Sequence, residues 1–151
     1  MYQFWIDTIP VSWSAPIKGK HGFFDKKSKQ KDLVRYQLKA LYKDKPLSEP
    51  VSLEFTFYLP IPKSASKKKK EMMLDNLISP TTPDTTNMQK LYEDCLQNIV
   101  IENDRLSNKI SSVRYYSNTP GILITVRPWR EENQPKKEIY EPRSTQATHQ
   151  L

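Results

Sequence analysis

The sequence predicts an α+β domain in which a small mixed β-sheet packs with helices, in the order β-α-β-α-α-β-β. Three observations carry this. Residues 51–59 alternate apolar and polar side chains with a period of two, as a strand with one buried face requires. Met88, Leu91, Tyr92, Cys95, Leu96 and Ile99 recur at helical spacing and form a stripe that seeks a core. At 151 residues the chain has the length of one domain, and its apolar runs are far too short for a membrane span of about 20 residues.

The elements follow in order. Tyr2 to Ile9 mixes aromatic and β-branched residues and stops at Pro10, so a first strand is expected there. The next twenty residues contain Pro10, Pro16, Gly19, Gly22 and many lysines without a steady period, which reads as a loop or hairpin region. From about Lys29 to Tyr42, Val34, Leu38, Leu41 and Tyr42 mark a surface helix. Pro46 and Pro50 frame a turn into the strand at 51–59, which Pro60 and Pro62 end. Ser64 or Ser66 can cap a short helix over Lys67 to about Leu77, with Met73, Leu74, Leu77 and Ile78 on its apolar side. The second long helix carries the stripe from Met88, with Thr85, Thr86 or Asn87 available as its cap. Two strands, Lys109 to Tyr116 and Ile122 to Arg127, follow, and the intervening SNTPG has the residues of a hairpin loop. Residues 1–127 are thus expected to form one domain, and 128–151, rich in proline and in both charges, an extended or partly disordered tail.

Mean hydropathy is −0.74, low for a globular chain, and no N-terminal signal is evident, so a cytoplasmic protein with no membrane association is expected. A single cysteine, Cys95, excludes an internal disulfide and a thiolate metal cluster; on the apolar stripe it reads as a core thiol. Three glycines exclude a phosphate-cradling loop, and His21 and His149 are too isolated for a zinc site or a triad.

Charge is informative because it is polarised. The chain has 24 Lys and Arg against 17 Asp and Glu, a net charge of +7. Residues 18–45 alone carry ten basic and three acidic side chains, including Lys18, Lys20, Lys26, Lys27 and Lys29. Such a segment suits a polyanion, although lysines also simply solubilise surfaces. Lys67, Lys68, Lys69 and Lys70 sit where a helix begins, against its dipole, a conflict that an external polyanion relieves. Opposing these, Asp84, Glu93, Asp94, Glu102 and Asp104 face only Lys90 within residues 84–104.

A protein that merely coats nucleic acid has little use for that acidic pole; one that brings divalent cations to a phosphodiester needs it. Carboxylates without histidine or thiolate competitors suit hard ions such as Mg²⁺. Whether Asp84 and Asp104 converge is not fixed by spacing, since a helix of about 12 residues spans roughly 18 Å. The plainer reading has Asp84 capping a helix and Asp104 in a polar turn. Lys90 can pair with Asp94 four residues on, or face a phosphate.

Two stretches, PVSLEFTFYLPIPKSASKKKKEMM at 50–73 and PDTTNMQKLYEDCLQN…ENDRL from 83, make residues 51–106 resemble the RusA family of Holliday junction resolvases, with weaker matching over roughly 1–127. The family's members are small, homodimeric, magnesium-dependent endonucleases, often prophage-encoded. Pro83, Asp84, Thr85, Thr86, Asn87, Lys90, Asp94, Asn103 and Asp104 match its second motif. The resemblance implies a RusA-like fold and metal-dependent hydrolysis in four-way branched DNA, in the service of recombination and repair. It implies Asp84, Lys90 and Asp104 as catalytic residues, Mg²⁺ (Mn²⁺ as substitute) held by Asp84 and Asp104 with Glu102 or Asp94 as further donors, and Asn87 and Thr86 in support. Lys18, Lys20, Lys26, Lys27, Lys29 and Lys67 to Lys70 are the expected DNA contacts. The sequence departs from the family pattern at Thr86, where an aspartate is usual, at Asn103, the first of an acidic pair, and at Thr81 and Thr82, where basic residues are common. A neutral hydroxyl is a weak Mg²⁺ ligand, so a branched-DNA binder with weak or no cleavage is one alternative. A protein-interaction or regulatory module with solvating lysines is the other.

Overall fold

A computed structural model describes residues 1–130. Its centre is a four-stranded mixed sheet in the order β1-β6-β4-β5, formed by β1 (Tyr2–Ile6), β4 (Val51–Pro60), β5 (Ser107–Ser117) and β6 (Gly121–Pro128). A separate two-stranded hairpin comprises β2 (Ile17–Gly19) and β3 (Gly22–Phe24). The helices are α1 (Ser28–Leu41), α2 (Lys67–Leu74) and α3 (Thr85–Leu96). The α+β class and the element order are as the periodicities predict, and the loop or hairpin region that follows Ile9 contains the β2–β3 hairpin.

The period of two in β4 does what it should. Val51, Leu53, Phe55, Phe57 and Leu59 are buried on one face, together with Phe4 and Ile6 of β1 and Ile122, Ile124 and Val126 of β6. Val34 and Leu38 of α1 and Met88, Leu91, Tyr92, Cys95 and Leu96 of α3 close this core from the same side. Phe57 and Tyr92 meet at 5.7 Å between ring centroids, which locks α3 onto the central strand. Cys95 is buried, and burial pushes its thiol up to about 12, as an inert core group.

Strand pairing departs from expectation at the C-terminal end. SNTPG does not close a hairpin: β5 pairs with β4 in parallel, β6 pairs with β4 antiparallel, and the connection steps across β4. The loop chemistry permits a tight return, but the two apolar rows of β4 and β6 bury more by pairing with each other. Gly121 is required at the landing point. A Cβ there would lie 2.2 Å from the Trp5 indole.

Helix α2 stops at Leu74, short of Leu77. Asn76 takes a left-handed conformation (φ 60°), its N–H donates to the Met73 carbonyl, and the Leu77 N–H donates to that of Met72. This satisfies the last carbonyls by reversing the chain and leaves Leu77 outside the helix and exposed. Of the two candidate serines, Ser66 is the cap, accepting from the Lys69 N–H. Beyond β6, the Trp129 N–H donates to the Pro50 carbonyl at 2.7 Å. The rest of the tail expected at 128–151, from 131 on, lies outside the described residues. Among the described residues no helix is long and apolar enough to cross a membrane.

Candidate active site

Helix α3 organises the residues at issue. Its N-cap is Asp84, not one of the threonines or Asn87: the carboxylate accepts from the Thr86 N–H at 2.9 Å and the Asn87 N–H at 3.2 Å. An anionic acceptor at the positive end of a helix is the stronger cap, which is why it displaces the neutral hydroxyls. Asp84 is delivered by a segment that Arg114 of β5 holds, donating to the carbonyls of Pro83 (2.7 Å) and Thr81 (3.3 Å). The Thr82–Pro83 peptide bond is cis. Arg114 points to the core face of β5, beside Ser112, whose hydroxyl donates to Gln89 at 2.6 Å, so β5 runs along α3 and fixes it at two levels.

Lys90 and Asp94 are neighbours on α3 but take other partners. The Lys90 ammonium lies 3.5 Å from the ring centroid of Trp13, a cation–π contact, and the Trp13 N–H donates to the Asn87 carbonyl at 3.0 Å. Asp94 receives Lys31 of α1 at 3.8 Å, and the same ammonium is 2.8 Å from Asp25. Lys31 and its hydrogen bond, followed by the Lys27 N–H, hold the Asp25 carboxyl below its usual range. Neither Trp13 nor Lys31 stands out in the sequence as a site residue. Trp13 lies in an aperiodic stretch, and Lys31 is one lysine among many.

At the other end of α3 the acidic pole gathers. Glu93 is half-buried; burial first, then the charges of Asp104 and Asp94, raise its pKa. Asp104 opens the short 3-10 helix Asp104–Leu106, which Asn103 caps by accepting the Arg105 N–H at 3.0 Å. Asn103 therefore does the work of a turn at the position where the acidic pair would begin. Glu102 is exposed, its N–H donating to the Leu47 carbonyl. Thr86 and Asn87 are exposed in the first turn of α3. Glu93, Asp94 and Asp104 thus share one field at the C-terminal half of α3, while Asp84 stands at its beginning.

These donors are all oxygens, the chemistry that Mg²⁺ takes. Among the described residues, no three His, Cys, Asp or Glu side chains converge on one ion position. The expected lysines are placed as follows: Lys18 and Lys20 on the hairpin, Lys26, Lys27 and Lys29 between it and the first turn of α1, and Lys67 to Lys70 in the first turns of α2. Two concavities, about 370 and 300 Å³, are lined by Tyr58, Leu74 and Tyr115 and by Ile9, Leu59 and Pro83 among others, and neither contains a carboxylate. The charged groups instead occupy open surface, which a macromolecular ligand can reach and an enclosed small molecule would not need.

The family model of endodeoxyribonuclease RusA matches residues 14–127, well over half of the chain. The chain belongs to the RusA family. The match runs from Trp13's neighbour Ser14 through the whole of α3, β5 and most of β6. The chain is also 34% identical over 84 residues to "Uncharacterized protein YqaN" of Bacillus subtilis (strain 168), an alignment covering 54% of this chain and 59% of that protein. It spans about three fifths of that relative's length.

Proposed function

We propose that this RusA-family chain acts as a homodimer on branched DNA, cutting phosphodiesters at four-way junctions with Mg²⁺ as cofactor. The observation that carries this reading is the arrangement along α3. Asp84, Lys90 and Asp94 lie along one short helix, Asp104 lies within the electrostatic reach of Glu93 on its last turn, and lysine clusters lie at α1, α2 and the hairpin. Both helix ends concerned are charged against their own dipoles. Lysines crowd the N-terminus of α2, and Glu93 and Asp94 sit in the last turn of α3. Stability alone does not favour either; a phosphate at the first and a cation at the second would relieve both.

In this reading Asp104, with Asp94 or Glu102 as a further donor, would hold the metal, and Asp84, which caps the opposite end of α3, would join them as a donor only across the dimer. Bound Mg²⁺ supplies Lewis-acid stabilisation of charge on a phosphodiester and lowers the pKa of its water. Lys90, steadied by the Trp13 ring, offsets negative charge on the phosphate. Asn87 orders the first turn of α3 through its backbone, and Thr86 donates its N–H to Asp84. The lysines bind backbone phosphates, which gives shape-selective rather than base-specific recognition. Two-fold symmetry of a dimer would match the near-symmetry of a four-way junction.

The test is cleavage of a synthetic four-way junction with Mg²⁺ or Mn²⁺, by the wild type, Asp84→Asn and Thr86→Asp. Metal-dependent cutting lost in Asp84→Asn supports the endonuclease. Thr86 favours a second reading, a junction binder that does not cut: it predicts tight binding without cleavage, and cleavage gained in Thr86→Asp. Undetectable junction binding at low salt would refute both and leave a protein-interaction module.

A further inference from the structure

The β2–β3 hairpin carries two phenylalanines, Phe23 and Phe24, that are 75% and 52% exposed. With three residues in each strand it is too short to be held by strand pairing alone, and exposing rings adds nothing to its stability. Lys18 stands opposite Phe23, and Gly19 opposite Gly22, which turns the chain with φ 113°. The Phe24 ring lies against Gly19, where a Cβ would be 3.3 Å from it.

Both feet of the hairpin are tied to α3. On the entry side the Val11 N–H donates to the Tyr92 hydroxyl oxygen at 2.8 Å, and Trp13 holds Asn87 and Lys90. On the exit side Asp25 holds Lys31, whose ammonium also reaches Asp94. Ile17 follows Trp13 by four residues, at most about 14 Å of chain, and Phe24 directly precedes Asp25, so both strands of the hairpin join α3-bound residues through short lengths of chain. Lys18, Lys20, His21, Lys26 and Lys27 surround them.

Rings set among cations match a ligand with anionic backbone and flat apolar faces. Intact duplex hides those faces in its stack; a branch point exposes them. A second copy of the chain is a poorer occupant, because a two-fold contact would press like-charged hairpins together. We propose that Phe23 and Phe24 form a wedge that enters DNA at the branch point and stacks on an unpaired base, next to the site on α3. This rests on the branched-DNA reading and adds how the branch is told from duplex.

The experiment uses four-way junctions with 2-aminopurine at the crossover or within an arm, and linear duplex of equal length, with the full chain. Wild type should change the fluorescence at the crossover and not in the arm. Phe23→Ala with Phe24→Ala should abolish that change and weaken junction binding about tenfold or more, leaving duplex affinity and the salt dependence as they were. Phe23→Tyr with Phe24→Tyr should keep the signal. In contrast, Lys18→Ala with Lys20→Ala should reduce the salt dependence and keep it. A double alanine variant with wild-type junction affinity and crossover signal overturns the wedge, as does equal loss on junction and duplex. So does a changed mass in sedimentation, which would assign the rings to a subunit contact. Failure of the underlying reading shows separately: wild type itself would bind junction no better than duplex.

Discussion

Gly121 and Trp5 show how much a single atom can decide. The indole occupies the space that any side chain at 121 would need, with carbon atoms 2.2 to 2.8 Å from the missing Cβ. Gly121→Ala is expected to destabilise the fold by about 1–3 kcal/mol through overpacking. In a Trp5→Ala background the same change should become neutral or mildly stabilising, since alanine suits a strand better than glycine; urea denaturation of the four proteins measures this coupling. Glu93 offers a second test. Its raised pKa means that the folded state holds the proton more tightly than the unfolded state does. Its charge therefore lowers stability above that raised value, and the handicap fades as pH falls through it toward the ordinary 4.5. Glu93→Gln should be more stable than wild type by about 0.3–1 kcal/mol at pH 7, with the advantage vanishing in acid. Asp25 acts with the opposite sign. Its lowered pKa contributes stability above the ordinary 3.8 that is lost as pH falls through the folded-state value, and Lys31→Met should flatten that acid limb.

At the scale of the element, α3 separates two roles that one residue could fill. Asp84 is a cap by observation and a metal donor by proposal, and the substitutions differ for each. Asp84→Ala should lose about 1 kcal/mol of stability with the cap. Asp84→Asn keeps an acceptor oxygen and should stay within a few tenths of a kcal/mol of wild type by thermal melting, so lost cleavage in Asp84→Asn cannot be blamed on unfolding. The two longer helices and β4 are legible in the sequence because their apolar residues repeat over nine or more positions, enough for periodicity to speak. The hairpin at 17–24 is legible only as a turn-rich stretch, since three residues per strand establish no period. The helix end at Leu74 turns on Asn76 adopting the left-handed region, which asparagine permits but does not announce. In the site, the motif spacing locates Asp84, Lys90, Asp94 and Asp104. It does not locate Trp13 or Lys31, because those side chains join segments far apart in sequence and the nearest local partner of Lys90 is Asp94.

Across the whole molecule the excess positive charge is concentrated at the hairpin, the start of α1 and the start of α2, and this sets how salt should act. Binding of junction DNA should weaken steeply with salt, with a slope in log–log form of about 0.9 per phosphate neutralised. Replacing Lys67 to Lys70 by glutamine should reduce that slope in proportion to the phosphates no longer neutralised, and at the same time stabilise α2 by relieving its dipole. Fluorescence anisotropy over a salt series, with melting curves of the same proteins, tests both halves. Unchanged slope in the variant would remove α2 from the DNA surface.

The crossed arrangement of β5 and β6 about β4 also bears on the order of events during synthesis. Among the described residues β1 precedes every other strand, yet its neighbour in the sheet is β6, which follows them all. The central strand likewise waits for both of its neighbours, which lie C-terminal to it. Pairings this distant along the chain are slow to close. A nascent chain short of Gly121 holds β1 and one edge of β4 unpaired, with the apolar row of β4 open to association. Fragments ending there should aggregate, and chains reaching Pro128 should not.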